Sequence, residues 1–214
     1  MARYREAADL LLLHGATPAQ IDRAMIGFGY AMGPYEAQDM SGLDIAFANR
    51  RRQDANRDPN RTYVRIADKM VEAGRLGRKT GLGWYSYAND GKVETDPLVD
   101  ALIFGEADHA GITRRHYSDD AIVKRLLLAM INEGANILFE AIAQNASDID
   151  LVSVFGYGFP RWRGGLMHYA DQLGMAAILA GLKDFSAEDQ HIWQPSQLIF
   201  DAVKTGSDFA SFKN

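Results

Sequence analysis

Residues 149–174 carry the stretch that decides the fold, IDLVSVFGYGFPRWRGGLMHYADQLG. An earlier stretch, residues 21–42, has the related sequence IDRAMIGFGYAMGPYEAQDMSG. The matching residues keep their order, as expected of a tandem duplication, in which one folding unit is repeated along the chain. Two copies are too few for a solenoid, so the repeat predicts two related helical units. The matched pairs are Glu6 and Glu133, Asp22 and Asp150, Gly27 and Gly156, Gly29 and Gly158, Gly33 and Gly165, Asp39 and Asp171, and Gly42 and Gly174.

The composition is that of a globular protein with an ordinary core. The 214 residues are 47% hydrophobic and 24% charged, which is enough apolar material to exclude wholesale disorder. The net charge of −5, without a basic face, argues against nucleic acid as a partner. The absence of cysteine excludes disulfides and thiolate metal sites, and suits a cytoplasmic location. No apolar run approaches the roughly 20 residues of a membrane span, and the N-terminus lacks the pattern of a secretory signal.

Caps and apolar periodicity predict an all-α fold with very little β-structure. Thr17-Pro18-Ala19-Gln20 has the pattern of a capping box, and Ser147 is predicted to cap a short helix that carries Asp150. The predicted helices span residues 4–14, 18–26, 34–42, 43–52, 64–73, 97–110, 118–143, 147–151, 166–172, 175–182 and 195–205. The predicted non-helical segments are a solvated loop at 51–61, a short strand at 84–87, a turn at 89–91 and a glycine-rich loop at 155–165. The predicted domains are residues 1–92 and 93–214.

Two glycine-rich segments resemble nucleotide-binding loops only superficially. Residues 27–33, GFGYAMG, follow a predicted helix instead of a strand and lack the spacing of a dinucleotide fingerprint. Residues 74–81, GRLGRKTG, lack the glycine that precedes the lysine of a phosphate loop. Arg75, Arg78 or Lys79 could still contact a phosphate, but a solvated turn is the preferred interpretation.

The polar residues provide no catalytic or metal site. No two of the five histidines have metal-ligand spacing, and none has a carboxylate placed to orient it. Asp39 and Asp171 hold equivalent places in the repeat, so a catalytic pair is conceivable. Duplicated positions more often serve the fold, and we expect each to accept hydrogen bonds from loop or helix-start amides, favouring its charged form.

Residues 159–163, FPRWR, interleave two aromatic residues with two arginines. The arginines and rings could stack on a base such as adenine. The rings and arginines could equally pack against each other between the two repeats, with the arginine side chains extended.

Gly158 is expected to lie where backbones pass closely, so that Gly158→Val would destabilise the fold through overpacking or backbone strain.

The loops resemble one known family. GATPAQID (15–22), GFGYAMGPYEAQDMSGLD (27–44) and GRLGRKTGLGWYSY (74–87) resemble the C-terminal domain of 3-hydroxyacyl-CoA dehydrogenases. ASDIDLVSVFGYGFPRWRGGLMHYADQLG (146–174) resembles the second copy of that domain in multifunctional β-oxidation enzymes, such as the fatty-oxidation-complex α-subunit and the peroxisomal bifunctional type. The resemblance covers nearly the whole chain and implies two helical domains packed as a pseudo-dimer.

The resemblance also implies a parent enzyme with an enoyl-CoA hydratase domain and a Rossmann NAD domain in the same polypeptide. Such a parent oxidises 3-hydroxyacyl-CoA to 3-oxoacyl-CoA with NAD, using a His–Glu dyad and an asparagine that this chain lacks. The chain is therefore expected to be a fragment with no catalytic or cofactor-binding residues, which forms domain contacts, a possible homodimer and a wall of the acyl-CoA cleft. The family pattern places one substrate contact at Phe155, where some relatives carry a tyrosine. The alternative is a free-standing acyl-CoA-binding or scaffold protein without catalysis.

Overall fold

Helices form most of the chain in this computed structural model, which describes residues 2–57, 62–88 and 92–212. The helices are α1 (Ala2–His14), α2 (Pro18–Phe28), α3 (Pro34–Ser41), α4 (Leu43–Gln53), α5 (Ile66–Glu72), α6 (Pro97–His109), α7 (Asp119–Phe139), α8 (Ala146–Leu151), α9 (Leu166–Leu173), α10 (Met175–Ser186), α11 (Gln190–Trp193) and α12 (Gln197–Thr205). Strands β1 (Tyr85–Tyr87) and β2 (Val93–Thr95) pair antiparallel, with Tyr85 opposite Thr95. The predicted all-α fold and the short strand near residue 85 are confirmed.

The chain divides into two compact units. The N-terminal unit comprises residues 8–27 and 32–122, and the C-terminal unit comprises Met1–Ala7, Phe28–Ala31 and Val123–Asn214. Each unit has its own buried apolar residues: Leu11, Ile21 and Trp84 in the first, and Leu126, Leu182 and Ile199 in the second. The predicted domains, 1–92 and 93–214, describe repeated sequence rather than contacts, and stay a prediction.

Several boundaries differ from the predicted ones around α7 and α8. Helix α7 ends at Phe139 rather than residue 143, because Ala141 adopts a left-handed conformation with φ of 55°. Asn145, not Ser147, caps α8: its side chain accepts from the amide of Asp148, which accepts in return from the Asn145 amide. Helix α8 then continues into a π-helical turn, Val152–Gly156, so the predicted loop starts only after Gly156.

The predicted loop at 51–61 is also partly wrong. Helix α4 extends to Gln53, and a 3₁₀ turn, Asp54–Asn56, follows it. Asp54 forms ion pairs with Arg51, at 3.1 Å, and with Arg57, which hold this turn together. Residues 58–61, and the predicted turn at 89–91, lie outside the described residues. The short helix α11 was not predicted.

The Thr17 cap is confirmed in half of its predicted form. The Gln20 amide donates to Thr17 Oγ1 at 3.2 Å. The Gln20 side chain does not complete the box but donates to the carbonyl of Tyr117 at 2.7 Å. Both contacts lie within the N-terminal unit.

Gly158 is required for its backbone conformation and not, as predicted, for a close approach of backbones. No heavy atom lies within 4 Å of the position that a Cβ would take, so the expected close approach of backbones is wrong. Its φ of +71° is nevertheless left-handed, where a β-branched residue is strained. We expect Gly158→Val to lower the free energy of unfolding by about 2 kcal/mol through backbone strain alone. Urea denaturation would test this value, with Gly156→Ala as the control because Gly156 has no left-handed φ; equal stability of both variants would contradict it.

Candidate functional site

The paired aspartates at the starts of the repeats cap helices that begin later in the chain. Asp22, on α2, accepts from the amides of Tyr35 and Glu36 at 2.9 Å each, in the first turn of α3. In the C-terminal unit, Asp150, on α8, accepts from the amides of Met167 and His168 at 2.7 and 3.2 Å, in the first turn of α9. These amides have no intrahelical partner, so each carboxylate satisfies two orphan donors and the positive end of the helix.

A glycine precedes each capped helix and allows the carboxylate to approach. A Cβ at Gly33 would stand 2.3 Å from atoms of Asp22, and one at Gly165 would stand 2.5 Å from atoms of Asp150. Neither glycine position provides a side-chain cap of its own. The aspartate of the preceding helix therefore takes the place of the usual N-cap side chain.

Asp39 and Asp171 form a second matched pair. Asp39 accepts from the amides of Trp84 and Tyr85 at 2.9 and 3.0 Å. Asp171 accepts from the amides of Phe209 and Ala210 at 2.8 and 3.0 Å. Each carboxylate thus binds two consecutive amides of a distant segment within its own unit, which confirms the expected structural role.

Burial acts against the charged form of these carboxyl groups. The low-dielectric surroundings raise the pKa of Asp39 and Asp171, and this effect outweighs the amide hydrogen bonds, which lower it. Burial likewise raises the pKa of Asp150. The hydrogen bonds favour the charged form as expected, but burial outweighs them.

Asp22 provides the clearest pH dependence. Burial raises its pKa from 3.8 to about 6, against the lowering effect of hydrogen bonds from the Tyr85 hydroxyl and two amides. Between pH 3.8 and about 6, Asp22 therefore keeps a proton in the native state that it releases in the unfolded chain. This bound proton stabilises the native state, and the stabilisation is lost as the pH rises through the native pKa. From pH 4.5 to 7.5 we expect this group to lower the free energy of unfolding by about 2 kcal/mol.

Urea denaturation of the wild type and of Asp22→Asn across this range would isolate that contribution. The variant has no titrating group at position 22 but keeps all the other titrating carboxyl groups. The difference in stability between wild type and variant should therefore shrink as the pH rises. A difference that is constant with pH would refute the prediction.

The basic glycine-rich segment has its cations engaged in ion pairs. Arg75 is buried and pairs with Asp96 at 2.8 Å, while Arg78 pairs with Glu36 at 2.7 Å. Lys79 lies 2.6 Å from Asp44. These pairs favour a turn over a phosphate site, but the burial of Arg75 means that the predicted solvated turn is only partly exposed to solvent.

The histidines do not form a recognisable catalytic group. His168 contacts the side chain of Gln172 at 2.9 Å, and His191 lies 3.9 Å from Glu6. Among residues 2–57, 62–88 and 92–212, no three His, Asp or Glu side chains cluster as metal ligands would.

In the FPRWR segment, Phe159 is buried in the fold and Trp162 is exposed. Phe159 is buried, and its ring lies 5.8 Å from Phe28 and 5.9 Å from Tyr30. Arg163 donates to the carbonyl of Phe28 at 3.1 Å, and its guanidinium lies 4.0 Å from the ring centre of Trp162. Arg163 therefore acts in packing, whereas Trp162 remains largely exposed.

A cavity of about 380 Å³ lies within the C-terminal unit. Buried aromatic residues of that unit line it, namely Tyr4, Tyr30 and Phe159. Aliphatic side chains from α7, α8 and the turns that follow them complete most of the remaining wall. They are Ile137, Ile142, Ile149 and Val152. The cavity has the size and the mainly apolar lining of a small-molecule site.

Phe155 lies in the same π-helical turn as Val152 but does not line the cavity. Its side chain is 70% exposed, and the Arg161 guanidinium lies 5.2 Å from its ring centre. Its ring is therefore accessible to a ligand at the surface beside the cavity. Phe155 lies in a contiguous motif, whereas the residues that line the cavity come from five separate segments and share no sequence motif that would predict them.

None of the described helices is long and apolar enough to span a membrane. The strands within residues 2–57, 62–88 and 92–212 form only the antiparallel β1–β2 pair.

The chain matches one family model and several multifunctional β-oxidation enzymes. Residues 1–87 match the family model of the 3-hydroxyacyl-CoA dehydrogenase C-terminal domain. The chain is 39% identical to the peroxisomal bifunctional enzyme of Danio rerio and 31% identical to the fatty acid oxidation complex subunit alpha of Pseudomonas aeruginosa. These matches cover 95% and 93% of the chain, respectively. The chain spans only 30% and 28% of the length of these relatives.

A solved structure supports the same fold. The dehydrogenase part of multifunctional enzyme 1 from C. elegans superposes with a TM-score of 0.68 and 25% identity, over 95% of this chain and 45% of that one. The resemblance to the C-terminal domain of 3-hydroxyacyl-CoA dehydrogenases and to multifunctional β-oxidation enzymes is therefore confirmed, whereas the second copy of the domain stays a prediction.

Proposed function

We propose, from the premise that this chain contains the C-terminal helical domain of the 3-hydroxyacyl-CoA dehydrogenase family, that it is the helical part of a multifunctional β-oxidation enzyme. In that enzyme, 3-hydroxyacyl-CoA is oxidised to 3-oxoacyl-CoA with NAD. The main support for this proposal is the match to the peroxisomal bifunctional enzyme of Danio rerio. The match covers 95% of this chain but only 30% of that enzyme. The helical part provides domain contacts and a wall of the acyl-CoA cleft.

The proposal divides the chemistry between separate domains. NAD would supply hydride transfer when bound to a Rossmann domain of the same polypeptide, next to an enoyl-CoA hydratase domain. The chain alone would then be inactive.

We further propose that the two helical regions are copies of one unit. The matched aspartate caps and the glycines beside them support this proposal, because both repeats use the same residues for the same hydrogen bonds. The paired packing of the copies and a homodimer of the chain stay predictions.

Phe155 is proposed as a substrate contact. Its exposed ring can cover an apolar part of an acyl-CoA, although it offers no hydroxyl group for a hydrogen bond. Its position in the turn that also carries Val152, a cavity-lining residue, supports this placement. The cytoplasmic location stays a prediction, since the Danio rerio relative is named peroxisomal.

The decisive experiment exchanges this chain for the matching segment of the Danio rerio enzyme, which is 39% identical. Acetoacetyl-CoA-dependent oxidation of NADH is measured for the chimera, for the relative truncated before the segment, and for this chain alone. We expect activity in the chimera and none in the other two. Turnover by this chain alone, or a folded but inactive chimera, would overturn the proposal.

The same assay addresses the alternative of an acyl-CoA-binding or scaffold protein without catalysis. The apolar cavity is the observation that favours this alternative, because a binding protein would need no further domain. A folded, inactive chimera together with acyl-CoA binding by the chain would establish it.

A further inference from the structure

Two buried carboxyl groups attach strand β1 to the helices of the N-terminal unit. Asp22, on α2, accepts a hydrogen bond from the hydroxyl of Tyr85 at 2.7 Å. Asp39, on α3, accepts from the amide of the same residue at 3.0 Å. At the other end of the strand, Tyr87 donates its hydroxyl to Asp39 at 2.9 Å. Both ends of β1 are therefore bound to acidic side chains.

The β1–β2 hairpin has few other means of support. Only three residues of each strand pair, and all three residues of β2 are exposed. A two-stranded hairpin is at best marginally stable by itself. A cavity of about 100 Å³, lined in part by Trp84, Tyr85 and Thr95, lies against the hairpin. Because protein interiors are otherwise close-packed, this space lets the aromatic side chains move.

Of the two carboxyl groups, Asp22 is the one that ionises close to neutral pH. Burial raises the pKa of Asp22 to about 6, and the like charge of Glu36 adds to this effect. Glu36 itself pairs with Arg78 at 2.7 Å. The charge of Arg75 acts on Asp39, where it lowers the pKa against the raising effect of burial. The environment thus opposes the charge on Asp22 more than the charge on Asp39.

The tyrosines around Asp22 keep their protons while Asp22 ionises. Burial raises the pKa of Tyr35 and Tyr85 above the usual value of 10.0. Tyr35 donates its amide to Asp22 and its hydroxyl to Asp9, on α1, at 3.4 Å. The tyrosine hydroxyls therefore stay neutral donors on either side of the Asp22 transition.

From this arrangement we propose that Asp22 is a proton-dependent latch, which holds the β1–β2 hairpin closed while it is protonated and lets the hairpin open once it is ionised. Movement of Tyr85 away from Asp22 would admit water to the carboxyl group. An ionised carboxylate gains much more from that hydration than a neutral one. Opening therefore becomes more favourable as the pH rises from 3.8 to about 6, and levels off above the native pKa. The latch lies in the N-terminal unit and does not depend on the proposed function.

Hydrogen exchange of the Trp84 and Tyr85 amides in the 214-residue chain tests this latch. After correction for intrinsic exchange, their opening constant should rise by about 25-fold from pH 4.5 to 7.5, and level off above about pH 6. The amide of Leu12, buried in α1 of the same unit, should exchange more slowly, because hairpin opening does not expose it. Exchange of Trp84 and Tyr85 that is as slow as that of Leu12, or that is independent of pH, would overturn the proposal.

Three variants assign the effect to Asp22. Asp22→Asn should abolish the pH dependence of the opening constant. Tyr85→Phe removes a hydroxyl whose hydrogen bond lowers the pKa of Asp22, so the levelling-off should move to higher pH. Tyr87→Phe is the matched control, since its hydroxyl bonds to Asp39, and should leave the levelling-off near pH 6.

The two phenylalanine variants keep the proposal testable even if Asp22→Asn does not fold. An equal shift of the levelling-off in both would refute the role of Asp22, because only one of the two hydroxyls contacts it. A pH dependence that persists in folded Asp22→Asn would refute it as well.

Discussion

Replacing Asp39 by asparagine is expected to lower the free energy of unfolding at pH 7 by about 2 kcal/mol. One carboxylate oxygen of Asp39 accepts a hydrogen bond from the amide of Trp84. The other oxygen accepts two, one from the amide of Tyr85 and one from the hydroxyl of Tyr87. Asparagine offers only one acceptor oxygen, and its amide group would face at least one donor. The residue is 1% exposed, so water cannot replace the lost bond.

Asp171→Asn is the matched control. Asp171 accepts from two amides, is less buried than Asp39, and has no hydroxyl donor among its hydrogen bonds in the described residues. Its replacement should therefore cost about 1 kcal/mol. Urea denaturation of both variants gives the comparison, and an Asp39→Asn variant no less stable than Asp171→Asn would contradict the assigned network.

The helices could largely be predicted because glycine and proline mark their ends. Pro18 and Pro34 begin α2 and α3, and Gly42 and Gly174 follow the ends of α3 and α9 with φ of 93° and 83°. Such signals are local, since they depend on the backbone freedom of one residue. The end of α7 at Phe139 had no such signal, because an alanine adopts the left-handed conformation there.

The role of Asp22 and Asp150 could not be derived from local pattern, although their matching positions were visible. Cap signatures relate a side chain to amides two or three residues ahead. Asp22 instead reaches an amide 13 residues away, and Asp150 one 17 residues away. The repeat identified the residues, whereas only the structure identified the donors.

The candidate site shows the same limit more strongly. Phe155 was placed by resemblance of the surrounding motif, because a motif is contiguous in sequence. The cavity is lined from α1, α7, α8, α9 and the turns between elements, including Tyr4, Ile137 and Leu166. No sequence period connects such distant positions, so their convergence follows from tertiary packing alone.

Replacing Gly33 by alanine is expected to lower the free energy of unfolding by about 3 kcal/mol. A Cβ at this position would stand 2.3 Å from the Cα, Cβ and Cγ atoms of Asp22, so backbone has to move rather than a flexible side-chain end. Overpacking of this kind costs about 1–3 kcal/mol. Displacing Asp22 also weakens its bonds to the amides of Tyr35 and Glu36, and loss of such a cap costs about 1 kcal/mol more.

Gly165→Ala tests the same arrangement in the other repeat. Its Cβ would stand 2.5 Å from Asp150, and its φ of +124° adds strain, so its effect should be at least as large. Gly27→Ala is the control, because it lies in α2 with no atom within 4 Å of its Cβ position and should be neutral or slightly stabilising. Thermal and urea unfolding would measure all three. If Gly33→Ala unfolded like Gly27→Ala, Asp22 could not be the close-packed cap of α3, and its match with Asp150 would lose its physical basis.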